Sequence, residues 1–109
     1  MAALVKRIDQ LRHEMKALRY LLELHPQSLA GAPPREDFQT PDARAIYDAL
    51  AAEKSRGAAE ASIAALELDE TDVESFLRLS GTHYHTYPQL IRERAAQFRR
   101  GELVLQDAG

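Results

Sequence analysis

The residues best suited to chemistry cluster in THYHTYP, Thr82 to Pro88, which holds two of the four histidines and two of the four tyrosines. Two imidazoles at i and i+2 bind a metal when both project from one strand face, because side chains alternate there. A zinc site also needs at least a third protein ligand, typically another histidine or a carboxylate. Here Gly81 precedes the stretch and a helix cap follows it, so no strand is available. The nearest carboxylates, Glu74 and Glu93, fall on flanking helices with no obvious convergence. The stretch reads as an interhelical loop, with Tyr84 and Tyr87 at the core's edge and His83 and His85 facing water. No catalytic residue, metal ligand or cofactor follows from it.

Other chemistries find no better footing. There is no phosphate-binding loop, dinucleotide fingerprint, nucleophile elbow or HExxH helix. Acid pairs such as Glu36-Asp37 and Glu70-Asp72 suit charged helix ends and solvated loops. Arg92, Arg94, Arg99 and Arg100 form a basic cluster. Arg92 and Arg99 share a helix face, but Ala95 and Ala96 lie between them and break the stripe. By exclusion, the sequence points to recognition.

The elements that would carry such a surface are helical. Leu4, Ile8, Leu11, Met15, Leu18 and Leu22 are spaced 4-3-4-3-4, the seam of a heptad. Tyr20, Leu21 and Leu24 widen that stripe near its end, as docking on a globular core requires. The first half is expected to protrude or to pair with a second copy through residues 4–22. The helix should end at His25-Pro26, since a residue before proline disfavours the α region. Residues 26–40 form a packed loop anchored by Leu29 and Phe38.

Thr40-Pro41-Asp42 has the order of a helix start, and Ala43, Ile46, Tyr47 and Leu50 give that helix its inward face. Gly57 is expected to terminate it. A short Ala-rich helix follows, then helices opened by capping boxes at Thr71–Glu74 and Thr86–Gln89. Gly101 should close the last one, with ELVLQDAG trailing off and no period-2 run anywhere. The fold class is all-α, a small orthogonal or mixed bundle of five or six helices. Its divisions are a helical extension or linker at 1–16, the bundle at 17–101 and a tail at 102–109.

Composition agrees with that class. Eighteen Ala and 15 Leu against three Val and four Ile favour helix over strand. The absence of cysteine excludes disulfides, thiol nucleophiles and Cys-ligated zinc, and fits a reducing cytoplasm. No run approaches the roughly 18 apolar residues of a membrane span. A net charge of −3 argues against a phosphate-backbone binder. Its distribution is polarised: residues 58–77 carry six acids and no base, while 1–25 carry five bases and three acids. A polarised surface suits a protein partner.

The order ALRYLLELHPQSL followed by REDFQTPDARAIYDAL resembles the C-terminal helical bundle of bacterial DnaG-type replicative primases. The N-terminal domain of DnaB-type replicative helicases has the same fold and a related pattern. Leu21, Leu22, His25, Pro26, Phe38, Arg44, Ile46, Tyr47 and Leu50 carry the likeness, as framework residues. The resemblance implies a non-catalytic domain that docks on the replicative helicase hexamer. Its contacts are expected at Leu90, Arg94, Phe98, Arg99, Leu103 and Leu105, on the last helix and tail. The zinc and catalytic metal ligands of a primase are absent from this chain. Alternatives are the helicase's own collar domain and a free-standing dimeric helical adaptor.

Overall fold

The chain forms a five-helix, all-α bundle, seen in a computed structural model that describes residues 2–106, with 70 and 71 described through their backbone alone. Its axis is α1 (Arg7–Glu23), whose Leu11, Met15, Leu18 and Leu22 are buried, joined by Ala17 and Leu21. Fully burying one such leucine stabilises by about 1.5–3 kcal/mol, so this stripe alone fixes how α1 faces the core. From Leu11 on, the expected seam is therefore taken up by the chain's own interior, while Leu4 and Ile8 stay exposed. The first half of α1 does not protrude as a separate extension: Gln10, Leu11, Glu14 and Met15 are all buried. Leu11 and Met15 share one core with the rest of the bundle.

Leu4 does not belong to the helix. It lies in β1 (Ala3–Lys6), which pairs in parallel with β2 (Leu103–Gln106), in the register Ala3 to Leu103 and Lys6 to Gln106. The segment expected to trail off is thus partly a strand, and its residues 107–109 lie outside the described residues. In β2, Leu103 and Leu105 are half-buried while Val104 and Gln106 are exposed. Alternation was present in LVLQ, but over four residues it is too short to stand out.

The loop after α1 makes 3₁₀ turns at Gln27–Gly31 and Arg35–Asp37, and it buries Phe38 completely. α2 (Pro41–Ala52) then starts as the sequence indicated, with the Thr40 hydroxyl accepting from the Ala43 amide. A fully buried carboxylate locks this start to α1. Glu14 accepts hydrogen bonds from the Gln39 amide at 2.5 Å, the Thr40 amide at 3.1 Å and the Thr40 hydroxyl at 2.6 Å. Gln10 adds a fourth bond at 3.0 Å. A buried charge is tolerable when its lone pairs are filled in this way.

Gly57 does not terminate α2. That helix ends at Ala52, and Ser55 caps α3 (Arg56–Ala64) by accepting from the Ala58 amide, which leaves Gly57 inside α3. α4 (Glu70–Arg78) buries Val73 and Phe76. It begins at Glu70, ahead of the Thr71 expected to cap it, and the Thr71 side chain lies outside the described residues. α5 (Tyr87–Arg99) packs Ile91 and Ala95 inward. Thr86 is its N-cap residue without a side-chain capping bond, so the expected capping box does not form there. Past its end, Gly101 sits at φ +75°. The Gly101 amide donates to Phe98 and the Glu102 amide to Gln97, the paired closure that turns a chain out of a helix. This turn delivers β2 to β1.

Candidate interaction surface

The four arginines of the basic cluster have four different partners. Arg92 donates to the Gly31 carbonyl, Arg94 to Gln10 Oε1 at 2.8 Å, Arg99 to Asp37 Oδ1 at 3.0 Å and Arg100 to Glu102. These contacts fan out around α5 and build no common anion site.

The six residues expected to contact a partner are split accordingly. Leu90 and Arg94, one turn apart on α5, are half-buried and adjoin a shallow depression that also reaches Gln97 and Arg100. Phe98 is half-buried. Arg99 is exposed but tied to Asp37, whose side chain is only 8% exposed. Leu103 and Leu105 are the less exposed members of β2. The outward position between them is Val104, which sequence reasoning passed over. It pairs in register with Leu4, and both are exposed, at 45% and 68%. Ile8, on the first turn of α1, adds a third uncovered apolar side chain.

THYHTYP lies where α1 and α5 meet. His83 and His85 are exposed, and no group of three or more His, Asp or Glu side chains among the described residues could hold a metal ion. Tyr84 and Tyr87 are half-buried and meet edge to face, with centroids 5.4 Å apart. The Lys16 ammonium stands over both rings, at 5.7 and 5.4 Å. An ammonium over an aromatic face is attracted by the ring quadrupole, so Lys16 is held over this pair.

Lys16 belongs to a larger basic groove. Residues 4–6 of β1 form one wall, Asp9, Arg12, His13 and Lys16 of α1 another, and Arg94 of α5 closes it, around about 470 Å³. Lys6, Arg12, Lys16 and Arg94 face one carboxylate, Asp9, which stands 3.7 Å from Arg12. His13 registers that field: burial first, then Arg94 and Lys16, push its pKa below the ordinary histidine value. The imidazole is therefore held neutral near pH 7. The excess of bases in residues 1–25 was the one signal of this groove. What gathers them is the i, i+4 spacing of Arg12 and Lys16 together with an arginine from the far end of the chain.

No protein-family model, no curated protein and no solved structure matches the chain. Among the described residues, no helix is long and apolar enough to cross a membrane.

Proposed function

We propose that this chain is a non-catalytic interaction domain of the primase C-terminal type, docking on a replicative helicase hexamer in the bacterial cytoplasm. Two features support this reading. The residues that carry the resemblance are a connected framework. Leu21, Leu22, Phe38, Ile46 and Leu50 are buried, His25 Nε2–H donates to the Leu50 carbonyl at 2.8 Å, and Arg44 donates to the Phe38 carbonyl at 2.7 Å. Tyr47 rests on Phe38 with ring centroids 5.4 Å apart.

The observation that carries a recognition role is the uncovered apolar group of Leu4, Ile8 and Val104, flanked by cations. Apolar side chains that would be buried by a partner, with arginine nearby, match how interface energy is distributed. The proposed contact region runs from Leu90 and Arg94 along α5 to the β1–β2 ribbon.

Surface plasmon resonance on an immobilised helicase hexamer tests the reading. Arg99 is a poor probe, because a carboxylate there would face Asp37. Val104→Asp and Leu90→Ala are expected to weaken binding at least several-fold with unchanged helical circular dichroism. The exposed Leu4–Val104 pair would also suit self-association, as in a helicase collar domain. Binding to the hexamer that survives both substitutions removes this region from the interface.

A further inference from the structure

We infer that the groove between β1, the first half of α1 and Arg94 is a docking site for an acidic, extended protein segment. This rests on the groove's chemistry and holds whatever the identity of the partner proposed above. Charge comes first. Four cations, Lys6, Arg12, Lys16 and Arg94, line it against the single carboxylate of Asp9. Burial first, and Arg94 and Lys16 after it, lower the pKa of His13 against the opposing pull of Asp9, which agrees with an excess of cations around the groove. An anionic occupant would offset that excess.

Backbone geometry argues for an extended occupant. Ala3 donates to the Glu102 carbonyl, which aims its amide at β2. In a parallel ladder successive residues alternate between the two edges, so the Leu4 and Lys6 amides turn to the opposite edge. Among the described residues the sheet has two strands, so this edge has no described strand beside it, and residues 4–6 wall the groove. Amides on the edge of a sheet are suited to pair with another chain's backbone. Spacing adds to this. Arg12 and Lys16 stand one helical turn apart, about 6 Å, and alternate side chains of an extended strand recur at about 6.6 Å. Carboxylates two residues apart would meet both.

A protein segment fits better than a nucleic acid. Exposed Leu4 offers an apolar contact that a phosphate backbone cannot use. The net charge of −3 and the acidic stretch at 58–77 repel a long polyanion.

Fluorescence anisotropy tests this with the full chain and a short labelled peptide of alternating Glu and Val. Its partners in the assay are the same peptide with Lys in place of Glu, and a labelled oligothymidylate. Saturable binding of the acidic peptide alone is expected, weakening with salt and falling about tenfold or more in Arg12→Glu/Lys16→Glu. Arg12 is two-thirds exposed, so the single variant Arg12→Glu is a second probe that leaves the core untouched, expected to weaken binding in the same direction. Equal binding of both peptides, no binding of the acidic one, or unchanged binding by both variants overturns the proposal. Tighter binding of oligothymidylate would reassign the groove to single-stranded nucleic acid. Self-association of the free chain that the double variant abolishes would reassign it to a second copy.

Discussion

Glu14 is the residue on which the joint between α1 and α2 turns. It is fully buried and accepts four hydrogen bonds, three of them from Gln39 and Thr40 at the start of α2. Replacing it with alanine leaves two backbone amides without their acceptor. The expected loss is about 2–4 kcal/mol, since buried donors stripped of a charged partner carry the full desolvation penalty. Urea unfolding of Glu14→Ala measures it, and a loss under about 0.5 kcal/mol would mean that water replaces the carboxylate. A chain of bonds also runs from Arg94 through Gln10 to Glu14, so this cation of the groove is anchored to the core.

His13 provides a second test at this scale. Its pKa is lowered in the folded chain from the ordinary histidine value of 6.5, chiefly by burial. Between the folded value and 6.5 the unfolded chain holds a proton that the folded chain does not. Stability therefore rises with pH through that window and falls as acid charges the imidazole. The stability of the wild type relative to His13→Gln should be greater well above pH 6.5 than well below it. Unfolding both proteins at the two pH values checks this, and a pH-independent difference would show that the ring titrates normally.

Among the elements, the 3₁₀ turn at Gly81–His83 comes very close to α1. A Cβ at Gly81 would lie 2.8 Å from the Arg19 carbonyl oxygen and 2.8 Å from Glu23 Cβ. Neither can swing away, because one is helical backbone and the other is fixed to it. Gly81→Ala is therefore expected to cost about 1–3 kcal/mol, read from thermal or urea unfolding. Gly31→Ala makes the control, with nothing within 4 Å of its added Cβ and so little change expected.

Secondary structure was legible in the sequence where its signals were local. α1 was legible because Leu11, Met15, Leu18 and Leu22 repeat over three turns. α2 was legible because Thr40-Pro41 combines a cap with a residue that starts helices. Gly57 misled because glycine usually ends a helix, whereas Ser55 supplies a cap that restarts one immediately. The ribbon was hidden because each strand has four residues and its partner lies almost the whole chain away. Local patterns report local structure, and parallel pairing is not local. For the candidate surface, the arginine cluster was visible as composition, but the separate partners of Arg92, Arg94, Arg99 and Arg100 depend on tertiary placement.

Taken whole, the molecule is polarised. Its acidic stretch runs through α3 and α4, where burial and the neighbouring Asp69 and Asp42 carboxylates raise the pKa of Asp72. Its basic groove lies across α1 and α5, next to the uncovered Leu4–Val104 pair. Charges of one sign gathered beside apolar side chains steer and orient a partner more than they stabilise a fold. That arrangement, rather than any constellation of reactive groups, is the basis for reading the chain as a recognition domain.

Size-exclusion chromatography with light scattering, on the chain alone and mixed with a replicative helicase hexamer, asks whether the bundle docks there. The expected result is a monomer that co-elutes with the hexamer, in a complex that Val104→Asp disrupts. A self-associated chain that leaves the helicase peak unchanged would contradict it.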